Sequence, residues 1–337
     1  VTIASTIPPD ATSPRVAILI LSYNAEAWLA RCLDSVAKTR FPAVQVYLLD
    51  NGSTDKGPLL VREQFPWVRV IEHGANLGFC EGNNRGIELA LVEGATHVVL
   101  LNPDTWVEPD WLSLLVEVME RHGLGMAGAV QLAYDTSEFN SWTRMAVPDL
   151  LEELAYPEEA RDWIAVEWVE GSCLLVSREV LDKVGWLDPI YFAFYEEIDW
   201  CRRARAHGYS IGLVPASRIH HFRGGSWEAT STLSRERRYR CDRSQFLYQL
   251  TDLERGMGAN LAGWGRTLLT KGKEVLVAGS LRRGWDLFRI QIDLLRHRQE
   301  IWQKWKGDRA RLTVCQGKMS TDRRGEKGAR KGGASEE

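Results

Sequence analysis

Several things are missing from this chain, and each absence narrows the reading. It has no run of about 18 apolar residues, so no segment is expected to span a bilayer. Its opening residues, Val1 to Pro14, lack a basic stretch followed by an apolar one, so no signal peptide is expected. The six cysteines include no C-x-x-C pair, which argues against a zinc site or a disulfide framework. Scattered thiols of this kind fit small buried hydrophobes in a reducing, cytoplasmic compartment. No G-x-G-x-x-G follows the first apolar run and no Walker lysine motif is present. A standard dinucleotide fold and a P-loop are therefore both excluded. Nucleic-acid binding is not expected either, because no stacking aromatics alternate along a strand and no known motif is present.

The apolar pattern that is present alternates between two periods. Val16–Leu21, Val44–Leu49, Val68–Ile71, His97–Leu101 and Met126–Val130 read as buried strands. Between them, helical spacing recurs around Trp28–Val36, up to Phe65, over Glu81–Leu91 and over Trp111–Met119. This rhythm predicts an α/β fold with a mixed, mostly parallel sheet and helices on both faces. Residues 131–166 lose the rhythm and read as a variable loop with some helix, near a bound ligand. Strands are expected again at Val166–Val169, Cys173–Val176, Ile211–Val214 and Arg218–Phe222. A helix at Glu179–Val184 and another from Glu196 to a glycine stop at Gly208 lie among them. The domain reading is a flexible 1–14, a catalytic 15–233, a helical extension 234–311 and a disordered tail 312–337.

Charge divides the chain in the same way. Residues 1–234 hold 18 Lys/Arg against 32 Asp/Glu, whereas 235–311 hold 18 against 9. In the extension, Leu281, Trp285, Phe288, Ile292 and Leu295 recur at helical spacing among arginines. That pattern suits an anionic membrane surface and suits packing on the main domain equally well.

The expected strands end in polar turns that should share one sheet edge, where open α/β sheets bind ligands. They supply Asn24, Asp50, Asp55, Asn76, Asn102 and Asp104. Carboxylates there suit the base and ribose of a nucleotide. The Gly/Asn loop Asn76 to Asn84 opens a helix whose backbone N–H groups can meet phosphate. A diphosphate held without a lysine loop needs a cation. Asp104 is a hard oxygen ligand for Mg²⁺ or Mn²⁺, and His221 is a candidate imidazole ligand. Glu196, Glu197 and Asp199 cluster at a helix start after an aromatic run, more acids than the helix dipole requires. Mutual repulsion and desolvation would make one of them a general base.

As a set, these motifs resemble the inverting glycosyltransferases of family 2, with the nucleotide-sugar fold called GT-A. The resemblance covers about Val16 to Trp227 and is carried by Ser22-Tyr23-Asn24, Asp50-Asn51-Gly52-Ser53-Thr54-Asp55, Asn76-Leu77-Gly78-Phe79 through Gly86, Asn102-Pro103-Asp104, Gly171-Ser172 and Tyr195-Glu196-Glu197-Ile198-Asp199. It is nearest to the rhamnosyltransferase-like branch. The resemblance implies that Ser22, Tyr23, Asn24, Asp50, Asn76, Gly78, Asn83, Asn102 and Gly171 surround the donor. Within that set Asp50 reads the base, Asn24 and Asn83 hold the nucleotide, and Gly171 admits the sugar. It implies that Asp104 and His221 ligate the metal and that Glu197 deprotonates the acceptor hydroxyl. Two positions depart from the family's pattern. Asn102 replaces the first acid of the usual Asp-x-Asp, which leaves one carboxylate for the metal. Glu197 replaces the usual aspartate and is longer by a methylene, about 1 Å. Misplacement on that scale can cost about 100-fold in rate, so Glu196 and Asp199 stand as alternates.

The implied reaction is inverting transfer of a sugar, dTDP-rhamnose first and a UDP-sugar second. The acceptor is a hydroxyl of a glycan or lipid-linked carrier in cell-surface polysaccharide synthesis, at the inner face of the membrane. A nucleotidyltransferase would need a Gly-rich basic loop after the first strand, and Ser22 to Glu26 offers none. A non-catalytic nucleotide-sugar-binding subunit is the other competitor. Hydrolysis of donor without acceptor tells the two apart.

Overall fold

A computed structural model of the chain describes residues 13–156, 158, 160–222 and 231–312. Residues 1–12 of the expected flexible start 1–14, the Gly224-Gly225-Ser226 turn and residues 313–337 of the expected tail 312–337 lie outside the described residues. The order is β1 (Val16–Ser22), α1 (Glu26–Val36), β2 (Val44–Asp50), α2 (Gly57–Gln64), β3 (Arg69–Glu72), α3 (Gly78–Val92), β4 (His97–Leu101), β5 (Thr105–Val107), α4 (Trp111–His122) and β6 (Met126–Ala133). Then come α5 (Ser141–Ala146), α6 (Leu151–Ala155), β7 (Ile164–Ala165), β8 (Cys173–Ser177), α7 (Arg178–Lys183), α8 (Glu196–Ala206) and β9 (Ile211–His221). The helices α9 (Ser231–Leu250), α10 (Met257–Val277) and α11 (Leu281–Arg296) follow.

The strands form one mixed sheet in the order β3-β2-β1-β4-β8-β6-β9-β5, with β7 pairing β9. β1 to β4 run parallel where they pair, and β8 enters antiparallel between β4 and β6. β1 and β4 are buried along nearly their whole length, as continuous Val/Ile/Leu runs demand when helices cover both faces. One side of the sheet packs on Leu29 and Leu33 of α1 and on Trp111, Leu112 and Leu115 of α4. Full burial of each such side chain contributes about 1.5–3 kcal/mol.

Some expected elements differ. The segment Val166–Val169 is not a strand; β7 precedes it, and Val169 is fully buried beside Gly128. Ile211–Val214 and Arg218–His221 are one strand, which stops before Phe222 and is interrupted by a register shift opposite Ala129/Val130, where Pro215-Ala216-Ser217 bulges. Residues 131–166 contain the short helices α5 and α6.

The described chain divides into two compact units. The first runs to Ala204 and resumes over Tyr209–Cys241; the second holds Arg205–Gly208 and the chain from Asp242. Within the second, Trp264 donates to Gln291 at 3.0 Å, Arg243 pairs with Asp293 at 2.6 Å and Trp305 donates to the Asp252 carbonyl. On α11, Ile290 and Leu294 are buried while Leu281, Trp285, Phe288 and Leu295 are exposed. No described helix is long and apolar enough to cross a membrane.

Candidate active site

The topology brings the polar turns to one edge. Ser22 and Asp50 are register partners at the ends of parallel strands β1 and β2. β4 ends alongside them, and Leu101 faces Cys173 at the start of antiparallel β8. Asn102 N–H donates to the Ser172 carbonyl at 3.0 Å, so Asn102 and Gly171-Ser172 are neighbours. β5 begins immediately after Asp104 and pairs Thr105 with His221 at the end of β9. The Phe222 N–H then donates to the Asp104 carbonyl at 3.0 Å.

That register sets His221 Nε2 at 3.3 Å from Asp104 Oδ1. The other ring nitrogen, Nδ1, lies 3.3 Å from Gln131 Oε1 and 3.6 Å from Glu170 Oε2. Burial opposes charge on His221, but hydrogen bonds and charges from Asp104 and Glu170 outweigh it and lift the imidazole to about 9. Asp104 and Glu170 therefore favour positive charge at this ring, carried by the imidazolium or by a cation on a neutral ring's Nε2. Two ligands at right angles, each about 2.1 Å from one ion, are about 3 Å apart. The Asp104–His221 spacing fits such an ion. Among the described residues no group of three His, Cys, Asp or Glu side chains is set to hold one alone. A cation here would complete its shell from a ligand's phosphates, as Mg²⁺ commonly does.

The three acids of α8 occupy different environments. Asp199 is fully buried; its oxygens accept from Arg202 Nη2 at 2.7 Å, Arg203 Nε at 2.8 Å and the Tyr191 hydroxyl at 3.2 Å. As an alternate base it is therefore ill placed, being committed to the core. Glu196 is buried, and burial, then the neighbouring Glu197 charge, pushes its carboxyl well above the usual range. Glu197 is half-buried. A Cβ built on Gly171 would lie 3.8 Å from Glu197 Cβ and 3.3 Å from the Phe79 ring, so Gly171 leaves open the space between them. Just before these acids, Phe192, Phe194 and Tyr195 take φ of 62°, 68° and 67°. Left-handed backbone at bulky residues costs about 1–3 kcal/mol each and clusters at functional sites.

The donor side is less open than the sequence implies. Asn24, at φ 50°, accepts from Thr54 N–H at 2.8 Å while its own N–H donates to Ser53 Oγ, so it clasps the β1 and β2 turns together. Asn76 Oδ1 accepts from Asn51 Nδ2 and Gly78 N–H, a local turn bond. The phosphate reading of the Asn76–Asn84 loop needs correction. The Phe79 and Cys80 N–H groups donate to the Phe192 carbonyl, at 2.6 and 3.4 Å, so the start of α3 already has its acceptor. Gly78 permits this contact: it takes φ 82°, and a Cβ there would meet Phe192 at 2.6 Å. Asn83 Nδ2 donates to the Phe79 carbonyl within the helix. Asp50 is buried and accepts from Ser53 N–H; Ser22 Oγ beside it is buried with no hydrogen-bond partner among the described residues. Tyr23 is 36% exposed at the mouth of this turn. The buried thiols are inert, with Cys32 and Cys173 pushed up to about 12 chiefly by burial.

The sequence did not single out Glu170, Gln131 or Asn140, and it offered Asn51 only as part of its motif. A lone Gln in the otherwise apolar run Met126–Ala133 was the available signal for Gln131.

Comparison with known proteins agrees with this architecture. The family model described as Glycosyl transferase family 2 matches residues 17–185, just over half the chain. The N-acetylglucosaminyl-diphospho-decaprenol L-rhamnosyltransferase of Mycobacterium tuberculosis is 29% identical over 236 residues, 62% of this chain and 76% of that protein. The dTDP-rhamnosyl transferase RfbF of Shigella flexneri is 25% identical over 205 residues, 60% of this chain and 67% of that one. Among solved structures, the mannosyltransferase PcManGT from Pyrobaculum calidifontis, in complex with GDP-Man and Mn²⁺, superposes with a TM-score of 0.55 at 17% identity, covering 92% of this chain and 89% of its own. S. aureus TarS 1–349, in complex with UDP, gives 0.53 at 13% identity over 91% and 92%. At such identities the two structures speak for the fold, which is GT-A. The chain belongs to glycosyl transferase family 2 and is a glycosyltransferase.

Proposed function

We propose that the chain transfers a sugar with inversion from a nucleoside diphosphate to a hydroxyl of a glycan or lipid-linked acceptor. Glu197 is the base. One observation carries the reading: Glu170-Gly171-Ser172 touches both halves of the site. Glu170 meets the His221 ring at 3.6 Å, and Gly171 lies against Glu197.

In this reading Glu197 takes the acceptor proton as the hydroxyl attacks the anomeric carbon from the face opposite the departing diphosphate. Burial disfavours charge on Glu196, which leaves Glu197 the better placed carboxylate at this helix start. Asp50 and Ser22 receive the base and ribose. A divalent cation, Mg²⁺ or Mn²⁺, bound at Asp104 and His221 would offset charge on the leaving diphosphate. The M. tuberculosis relative favours L-rhamnose and RfbF favours its carriage on dTDP; a UDP-sugar is the second donor proposed. The name of the mycobacterial relative favours a polyprenyl-diphosphate sugar as acceptor; a place in cell-surface polysaccharide synthesis is part of the same proposal.

A lipid-linked acceptor also accounts for the exposed α11 stripe of Leu281, Trp285, Phe288 and Leu295, set among Arg282, Arg283, Arg289 and Arg296. That face suits the anionic inner surface of a membrane. Co-sedimentation with anionic liposomes at low salt tests it, and protein left in the supernatant ends the membrane reading.

The central test is Glu197→Gln with dTDP-rhamnose and UDP-sugars as donors. Turnover should fall by orders of magnitude while donor affinity holds. A wild-type rate in Glu197→Gln, with loss in Glu196→Gln, moves the base to Glu196. Donor hydrolysis without acceptor distinguishes an enzyme from a binding subunit.

A further inference from the structure

We propose that Gln131 and Asn140 are positioning residues that hold His221 in one ring tautomer, with the Nε2 lone pair aimed at the space beside Asp104. The proposal rests on the reading of Asp104 and His221 as a cation pair.

One backbone group here has a polarity that cannot be reversed. Asn140 caps α5, its Oδ1 accepting from the Thr143 N–H at 2.9 Å. A backbone N–H only donates, so the oxygen of Asn140 must face it. Its Nδ2 must then face the other way, and it donates to Gln131 Oε1 at 2.8 Å. The Gln131 amide is thereby oriented, and its Nε2 donates to Ser172 Oγ at 2.8 Å. Gln131 Oε1 is an acceptor, and it lies 3.3 Å from His221 Nδ1. The second group facing Nδ1 is Glu170 Oε2, which ionised is also only an acceptor. Ser172 Oγ, at 3.4 Å from Glu170 Oε2, ties the two acceptors together. Nδ1 must therefore carry a hydrogen. In the neutral ring Nε2 is then the bare nitrogen, and it is the one 3.3 Å from Asp104 Oδ1.

The amide and hydroxyl members of this relay are shielded, and only Glu170 is partly exposed. Gln131 and Thr143 are fully buried, Ser172 is 1% exposed and Asn140 is 7% exposed. Thr143 Oγ1 also accepts from the Gln131 N–H and donates to the Gln131 carbonyl, at 3.1 and 2.9 Å. The α5 start is thus locked to β6 at the residue that faces the imidazole. Partners of this kind fix the ring orientation of metal-ligating histidines, and losing one commonly costs about 10–100-fold in metal affinity.

Asn140→Asp is the sharpest perturbation. It keeps the cap acceptor and the side-chain shape but replaces the donor to Gln131 with an acceptor. Gln131 is then driven to present its N–H₂ toward His221, which favours the wrong tautomer. The experiment titrates Mn²⁺ into the full chain, alone and with dTDP, and follows it by electron paramagnetic resonance. The free-ion signal gives the dissociation constant, and ¹⁴N modulation reports imidazole coordination. Asn140→Asp and Gln131→Leu should weaken Mn²⁺ binding about 10–100-fold. Gln131→Glu, which keeps an acceptor at Nδ1, should stay near wild type. His221→Ala should abolish the ¹⁴N signal. If Gln131→Leu fails to fold, Asn140→Asp decides. Wild-type Mn²⁺ affinity in a folded Asn140→Asp, with the ¹⁴N signal lost in His221→Ala, overturns the positioning role and leaves the cation pair standing. Wild-type binding in His221→Ala overturns the pair and the proposal together.

Discussion

The helix start at Glu196 places three acids within four residues, and substituting them one at a time should give three different outcomes. Asp199 is the one whose loss the structure weighs. It is fully buried between Arg202 and Arg203, which are 5% and 4% exposed. Arg203 also donates to the carbonyls of Val184 and Trp186, so the ion group fixes the helix to the preceding loop. Removing one partner of a buried ion group leaves charge uncompensated and costs about 3–5 kcal/mol. Asp199→Ala should show that full loss. Asp199→Asn, which can still accept one of these bonds, should fall at the lower end. For a domain of this size the midpoint of thermal unfolding should drop on the order of 10 °C. The assay is calorimetry or far-ultraviolet dichroism on each variant, run beside sugar transfer at a temperature where the variant is folded. Below its midpoint, folded Asp199→Asn should keep most of its activity. Glu197→Gln should do the reverse, losing turnover with a midpoint near wild type. An Asp199→Asn protein that melts like wild type yet transfers no sugar would refute the assignment, because Asp199 would then act in the chemistry and not in the packing.

Glu196→Gln should change the pH dependence of stability. Its carboxyl, raised well above 4.5 by burial and then by Glu197, holds its proton to higher pH in the folded chain than in the unfolded one. The native state then binds more protons, so stability is complete below about 4.5 and falls as pH climbs toward the folded value. Melting curves across that range should slope less steeply for Glu196→Gln, and parallel slopes would count against a neutral Glu196. Gly171→Ala sets a Cβ 3.3 Å from the Phe79 ring, which must give by a few tenths of an ångström, and should raise the KM for donor or acceptor by filling the space beside Phe79 and Glu197. Gly78→Ala should cost about 1–3 kcal/mol in urea unfolding, because it forces a side chain into left-handed backbone against Phe192. Chelation should stop transfer, and added Mn²⁺ or Mg²⁺ should restore it; full activity in a metal-free preparation would remove the cation from the site.

What could be read from the sequence was what repeats locally. The runs Val16–Leu21 and His97–Leu101 announce buried strands, and Trp111–Met119 announces a helix, because burial imposes a period on neighbouring residues. The three residues of β5 carry too little pattern to be seen after Pro103-Asp104, yet they seat Asp104 beside His221. Strand β9 was read as two because Pro215 interrupts it, although β6 holds both halves in one ladder. The α3 start looked ready for phosphate because the acceptor that occupies it, the Phe192 carbonyl, lies far along the chain. For the same reason the polar relay behind His221 was invisible: Gln131, Asn140 and Glu170 belong to no spaced motif, and they meet Ser172 of the Gly171-Ser172 motif only through the fold.

The paired histidines at the end of β9 have different duties because adjacent strand residues point to opposite faces. His221 turns to Asp104, while His220 stacks on Trp106 with ring centres 3.5 Å apart and an interplanar angle of 7°. Slippage of β9 by a single residue against β5 would still deliver an imidazole to Asp104, but it would strip Trp106 of its stacking partner. Misalignment is thus penalised on the indole side even where the acidic side would tolerate it, and the doublet works as a proofreader of its own strand.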